Sequence, residues 1–265
     1  MKILVCIKQV PESSQVEVDE NGVLVRDGVD SKMNPYDLYA LETALRIRED
    51  VGGEVVVVTM GPTQAQAVIR EAYMMGADRG YVFSDRKFAG ADVLATAYTL
   101  SQGIMAVSSP DLIVCGKQTT DGDTAQVGPA LAEYLRIPHV AWVRDLLEVN
   151  LEGITLEMDM VNTVEVVRMQ YPCLITVEKD IFQPRLPSYR KKLASAQREI
   201  KVLSFADFVD QDEDNYGLKG SATQVERIFN PQASGERELW QGNGAELGDK
   251  LLAKLVELKF IQGRE

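Results

Sequence analysis

The sequence predicts an α/β fold: a doubly wound, mostly parallel sheet, then an antiparallel meander, then an extended C-terminal arm. Three observations predict it. Across residues 2–116, short apolar runs alternate with amphipathic helical patterns, the rhythm that builds a parallel sheet. From about Trp142 the apolar spacing changes to a period of two, broken at Asn150–Gly153 and at Asn162-Thr163, as antiparallel hairpins require. Past "PRLPSYRKK" the chain is polar and irregular until a last leucine-rich helical pattern.

The elements follow in order. "KILVCIKQV" (2–10) is apolar and β-branched and reads as a first strand. "VEVDENGVLV" (16–25) alternates around Asn-Gly, a hairpin signal. In "NPYDLYALETALRIRED" (34–50), Leu38, Leu41 and Leu45 share one helical face, with Pro35 near the start and Gly52-Gly53 after the end. "EVVVVTM" (54–60) is uninterrupted and apolar, as a strand covered on both faces must be. "GPTQAQAVIREAYMMGADRG" is a helix stopped at Gly76, "YVFS" a short strand, 90–107 a helix and 111–116 a strand. A further helix runs through Ala130 and Leu131, and "PCLITVE" (172–178) returns to a buried strand after the meander. Residues 1–189 therefore form the α/β domain. Residues 190–265 read as a partly extended arm whose final helix, with Leu247, Leu251, Leu255 and Leu258 on one face, either docks on another chain or packs on its own domain.

Composition narrows the function. With 28 Lys and Arg against 40 Asp and Glu, the net charge is −12. Nucleic acid and anionic membranes are poor partners for such a surface. No apolar run reaches the ~20 residues of a membrane span, and "MKILVCIKQV" lacks the features of a signal peptide, so a cytoplasmic location is expected. Cys6, Cys115 and Cys173 sit singly in strand-like runs and His139 is the sole histidine. That disfavours disulfides, metal sites and hydrolytic chemistry, so redox work would need an organic cofactor.

In a doubly wound sheet, ligands bind outside the carboxyl ends of the strands. Four stretches converge there: the first strand's end near Cys6 and Lys8-Gln9, the helix start Asn34, Pro35, Tyr36 and Asp37, the strand end Met60-Gly61, and the loop that opens at Gly116. That loop reads Gly116, Lys117, Gln118, Thr119, Thr120, Asp121, Gly122, Asp123, Thr124, Ala125, Gln126, Val127, Gly128, Pro129. It is neither a Walker loop, since Lys117 comes first and two acids follow, nor a G-x-G-x-x-G turn. Its glycines allow close backbone approach, and a helix start offers N–H groups to phosphate. The aspartates would repel phosphate, so Asp121, Asp123 or Thr124 are expected to cap the helix, or the aspartates to accept ribose hydroxyls, while amides and Lys117 hold the phosphates. A capped loop holding no ligand is the competing reading.

Several segments carry a family resemblance. "ILVCIKQVPES", "DGVDSKMNPYDLYALETALRIRE", "VVTMGPTQAQAVIREAYMMGADRGYVFSD", "DLIVCGKQTTDGDTAQVGPALAEYL" and "ITVEKDIFQPRLPSYRKK" together resemble the β subunit of electron transfer flavoprotein over nearly the whole chain. The resemblance implies an adenine-nucleotide-binding fold of flavodoxin-like or HUP-like type, paired with an FAD-carrying α subunit in a heterodimer. It implies that the residues of the four stretches named above bind a nucleotide: AMP in simple carriers, a second FAD in electron-bifurcating members. AMP-holding members have a denser acidic loop, Asp-Asp-Asp then Asn-Gln-Thr-Gly, whereas Asp121 to Pro129 here resembles the bifurcating pattern. Tyr189 stands where simple carriers place a leucine that anchors a dehydrogenase.

The function so implied is NADH-dependent electron bifurcation by the heterodimer. FAD would accept hydride from NADH and electrons would pass to ferredoxin or flavodoxin and, through the α-subunit FAD, to an acyl-CoA dehydrogenase. Two alternatives stay open: a simple carrier that binds AMP structurally, and a nucleotide-binding sensor or ATP-hydrolysing enzyme of related fold. The latter would need a glycine-rich loop after the first strand, where "KQVPESSQVEV" has no glycine.

Overall fold

The computed structural model describes residues 1–12, 31–226 and 238–261. The chain divides into two compact units, Met1–Arg227 and Ile228–Glu265. The boundary falls later than the expected one at 189/190.

In the first unit the strands are β1 (Lys2–Cys6), β2 (Gln9–Pro11), β3 (Ser31–Met33), β4 (Glu54–Met60), β5 (Arg79–Phe83), β6 (Leu112–Gly116), β7 (His139–Val149), β8 (Gly153–Met160), β9 (Thr163–Gln170), β10 (Cys173–Val177) and β11 (Lys201–Leu203). The helices are α1 (Pro35–Val51), α2 (Gln66–Met75), α3 (Val93–Val107), α4 (Val127–Leu135) and α5 (Tyr189–Ser195). Nine strands form one sheet in the order β11-β5-β4-β1-β6-β10-β7-β8-β9. Neighbours from β11 to β7 are parallel, and β7-β8-β9 is an antiparallel meander. The expected doubly wound sheet with its meander is therefore present.

The apolar runs explain the two-sided burial. Ile3, Val5, Val55, Val57 and Val114 belong to one core with Leu41, Ala44, Leu45, Ile69 and Ala72 of α1 and α2. Leu4, Val56, Val58, Ile113 and Cys115 belong to a second core with Ala97, Leu100, Leu131 and Ala132 of α3 and α4. Alternate residues feed opposite faces, and both faces are covered, so the runs are apolar almost throughout, with Thr59 the buried polar residue of β4. The chain winds from β1 outward to β4 and β5, then returns through α3 to place β6 on β1's other side. The junction of β1 and β6 is thus the switch point where open α/β sheets bind ligands.

Local chemistry sets the turns. Asp92 caps α3, its carboxylate accepting the Ala95 N–H at 3.1 Å. Between β7 and β8, the Asn150 side-chain oxygen accepts the N–H groups of Glu152 and Gly153 at 2.8 and 3.0 Å, an Asx turn. The first apolar run divides: β1 ends at Cys6, and Gln9–Pro11 pairs antiparallel with Ser31–Met33. The hairpin expected at 16–25 lies outside the described residues.

The segment after β10 differs most from expectation. Residues 190–226, assigned to the arm by sequence, belong to the first unit. β11 adds to the sheet edge beside β5. Phe205, Phe208 and Tyr216 are buried; Phe208 stacks on Phe88 at a centroid distance of 5.3 Å, Tyr216 lies tilted against Phe88 at 5.6 Å, and Phe205 meets Tyr216 edge-on at 5.2 Å. Thr223 closes the segment, its N–H and hydroxyl donating to Asp92 at 2.8 and 2.9 Å. In the second unit, α6 (Gly244–Glu257) is capped by Asn243, whose side-chain oxygen accepts the N–H groups of Ala245 and Glu246.

Candidate functional site

Three chain segments meet at the β1–β6 switch point. Lys8 follows β1, Asn34 and Asp37 open α1, and Gly116 opens the loop to α4. Gly116 is required by the approach of α1: a Cβ there would lie 2.6 Å from Asp37 Oδ1, 2.7 Å from the Tyr36 carbonyl carbon and 2.8 Å from Tyr36 Cβ. Only a residue without a side chain fits.

Hydrogen bonds lock the junction. The Lys8 N–H donates to Asp37 Oδ2 at 2.7 Å, and the Asn34 side-chain amide donates to Asp37 Oδ1 at 2.9 Å. That amide also donates to the Gln118 carbonyl at 2.9 Å, and Asn34 Oδ1 accepts the Thr120 N–H at 3.2 Å. Lys8 Nζ reaches across to both oxygens of Asp121 at 2.8 and 2.7 Å. Burial works against the charge of Asp121, but the Lys8 ammonium holds its carboxyl below the ordinary range. Asp37 is 4 % exposed. Burial pushes its carboxyl up to about 7, against the hydrogen bonds from Asn34 and Lys8.

The structure thus joins Asn34, Asp37, Gln118, Thr120 and Asp121. Cys6 pairs with Cys115 across β1 and β6, and the Cys115 thiol is raised well above its ordinary value, first by a hydrogen bond with Cys6 and then by burial. Pro35 and Tyr36 form the first turn of α1. Met60 and Gly61 end β4 at the same sheet edge, and no hydrogen bond among the described residues ties them to the loop. Lys117 turns away: its Nζ donates to Glu178 Oε1 at 2.6 Å and lies 5.2 Å above the Trp142 ring. Gly128 in the first turn of α4 meets β10, where a Cβ would fall 2.5 Å from Thr176 Cγ2.

The expected cap is absent. Gln126 is the N-cap of α4 and makes no side-chain cap bond. Asp121 is engaged by Lys8, and Asp123 accepts from the Gln118 side-chain amide. Asp123 and Ala125 hold left-handed backbone at φ 52° and 55°, whereas Gly122 does not. Among the described residues, the N–H groups of Gly122, Thr124, Ala125 and Gln126 find no acceptor. Val127, Gly128 and Pro129 open α4 directly after them. Sequence reasoning named Lys8 only as a strand end and missed Trp142, Thr176 and Glu178. The position of Lys8 two residues beyond Cys6 was the available signal.

Away from the switch point, a groove of about 510 Å³ between α1 and the meander is lined by Glu42, Arg46, Glu49, Phe182 and Arg185. Arg46 and Arg185 there pair with Glu42 and Glu49. Among the described residues no group of His, Cys, Asp and Glu could hold a metal ion, and no helix is long and apolar enough to cross a membrane.

Fold and site define an open, doubly wound α/β protein with a donor-lined loop at its switch point. Residues 21–208 match the model of the electron transfer flavoprotein domain. The chain is 44% identical over 257 residues to an electron transfer flavoprotein subunit beta of Thermoanaerobacterium thermosaccharolyticum, covering 96% of this chain and 98% of that one. It is 41% identical over 264 residues to the caffeyl-CoA reductase-Etf complex subunit CarD of Acetobacterium woodii, covering 98% and 100%. It is 41% identical over 244 residues to protein FixA of Azorhizobium caulinodans, covering 89% and 87%. The chain belongs to the electron transfer flavoprotein family, as a β subunit. Its role is electron transfer alongside an α subunit, in a family that works with flavin.

Proposed function

We propose that the β1–β6 crevice holds FAD, that NADH reduces this FAD, and that the heterodimer bifurcates the electrons. One branch leads to ferredoxin or flavodoxin, the other through the α-subunit FAD to an acyl-CoA dehydrogenase. The observation that carries the reading is the run of unpaired N–H groups at Gly122, Thr124, Ala125 and Gln126, set at the switch point before α4. Lys8 and Lys117 are already paired with Asp121 and Glu178. Backbone amides therefore carry the pyrophosphate, and the acidic loop is compatible with a nucleotide because its carboxylates are engaged elsewhere. When bound, FAD supplies the hydride-accepting and electron-splitting chemistry. The chain's part is to bind and orient it, which suits a site with no histidine or metal cluster among its residues. The resemblance of Asp121–Pro129 to the FAD-holding pattern supports FAD over AMP, as does the likeness to a subunit of a caffeyl-CoA reductase complex.

The test is flavin content. Purified heterodimer should hold two FAD, and one equivalent of NADH added without oxygen should bleach the flavin at once. One FAD with AMP, and no reduction by NADH, would instead identify a simple carrier.

The α subunit is the proposed partner of α6. Leu251, Leu252, Leu258 and Phe260 are 52, 55, 54 and 73 % exposed, and no residue of the helix is buried. An amphipathic helix gains stability by burying its apolar stripe. Deleting the residues after Asn243 should weaken heterodimer formation at least tenfold, about 1.4 kcal/mol, while the melting of the first unit stays unchanged. An unaltered dissociation constant would rule the docking out.

A further inference from the structure

Asp37 and Asn34 are buried where the end of β1, the start of α1 and the loop after β6 meet. The orientation of Asn34 is set by its neighbours. Its amide donates to the Gln118 carbonyl and its oxygen accepts the Thr120 N–H, so a flip would oppose donor to donor and acceptor to acceptor. Both Asp37 oxygens consequently face donors, the Lys8 N–H and the Asn34 amide. Such pairing suits a carboxylate, while burial resists its charge. The charged and titratable groups that act on it are Lys8 beyond β1, Asp121 in the loop and Cys115 in β6. The Lys8 ammonium is shared with Asp121, so its compensation of Asp37 is partial.

We propose that Asp37 is a positioning residue whose protonation is coupled to binding of an anionic ligand in this crevice. A nucleotide phosphate binds more tightly when the carboxyl is neutral, and its arrival draws a proton onto Asp37. The inference rests on the nucleotide reading above. The geometry supplies the direction. Asp121 belongs to the same loop as the unpaired amides, and its carboxylate already acts to raise Asp37. A phosphate seated on that loop adds further negative charge and acts in the same sense. Reciprocity then requires that a proton on Asp37 strengthen phosphate binding by the same factor. Because burial has brought this carboxyl to about 7, the coupling operates at neutral pH rather than in acid.

The experiment is calorimetric titration of the nucleotide-stripped heterodimer with ADP-ribose, a probe whose pyrophosphate does not titrate near neutrality. Paired buffers of different ionisation enthalpy count the protons taken up. If binding raises the carboxyl by about one pH unit, uptake is about 0.4 proton per ligand at pH 7, and affinity is about fourfold weaker at pH 8.5 than at pH 7. Asp37→Asn should bind with a flat pH profile and no such uptake. Should that variant fail to fold, the proton count of the unaltered protein decides by itself. Binding with no proton uptake and a flat profile would overturn the proposal and leave the nucleotide reading standing, as would an Asp37→Asn profile that keeps the slope. No binding at any pH would overturn both.

Discussion

Gly116→Val should empty the β-subunit crevice of nucleotide while the α-subunit flavin stays. The alanine variant alone is expected to weaken binding by about tenfold to a hundredfold, a cost of roughly 1.4 to 2.7 kcal/mol. The cause is the closeness of α1 to β6. A Cβ at position 116 would fall 2.6 to 2.8 Å from Asp37 Oδ1 and from Tyr36, two of whose atoms lie within that range. One of these is a backbone carbon, so the strain cannot be relieved by turning a side chain, and the start of α1 must retreat. Retreat stretches the Lys8–Asp37 bond and the Asn34 bonds to Gln118 and Thr120, which together shape the loop. Overpacking of this kind also costs stability, typically about 1–3 kcal/mol, so the variant should melt lower but still fold. Nucleotide released from the denatured heterodimer and quantified per dimer checks the result. Unchanged occupancy in a folded Gly116→Val protein would show that the crevice does not depend on this junction. Gly122 is a weaker lever, because a Cβ there meets only Thr119 Oγ1, at 3.4 Å, and its backbone is not left-handed.

What the sequence made legible is what local pattern controls. β4 was readable to the residue because a strand covered on both faces must be largely apolar, as Val55, Val56, Val57 and Val58 are. The meander was readable because Asn150 and Asn162-Thr163 interrupt a period of two. The convergence of Asn34, Asp37 and the Gly116 loop followed from topology alone, since an alternating chain brings strand ends to one edge. Residues 190–226 were not readable. β11 has three residues, of which Lys201 and Val202 are exposed, and the aromatic anchors Phe205, Phe208 and Tyr216 follow neither period. Their burial is decided by Phe83, Phe88 and Tyr98, far off in sequence. Ion-pair choice was equally hidden. Nothing local says that Lys117 takes Glu178 or that Lys8 takes Asp121, separations of 61 and 113 residues. The first pairing turns Lys117 from the expected phosphate ligand into a neutralised group, and the second engages Lys8 as well, so in the proposed reading the phosphates rest on backbone amides.

The largest loss of stability from one surface-proximal side chain is expected at Arg185. Glu42 of α1 has a side chain only 3 % exposed. It survives as a charge because the Arg185 N–H, Nε and one terminal nitrogen donate to it at 3.1, 2.7 and 3.1 Å, and Arg46 Nε donates at 2.9 Å. Burial opposes that charge, but these donors hold the carboxyl below its ordinary range. The Arg185 contacts to Glu49 add less, since Glu49 is half exposed and screened. Arg185→Ala leaves a buried carboxylate with Arg46 alone, and removal of one partner of such a pair costs about 3–5 kcal/mol. For a unit of this size, that lowers the melting temperature by about 10 °C. The pH dependence has a fixed sign. A carboxyl whose folded value is depressed stabilises the fold above its unfolded value, near 4.5, and that stability fades as pH falls through the folded value. Melting of the unaltered protein should therefore drop on acidification below about pH 4.5, and Arg185→Ala should drop less, having already lost the stabilised charge. Arg185→Lys should fall between, because an ammonium cannot reproduce the fork. Replacing both partners with leucine should recover most of the loss, since the penalty is the orphaned charge rather than the missing pair. Nucleotide content should be unaffected throughout, because Glu42 lies beyond the first turn of α1 that carries Asp37. A melting temperature for Arg185→Ala within about 2 °C of the unaltered protein would mean that water reaches Glu42 and the pair is an ordinary surface contact.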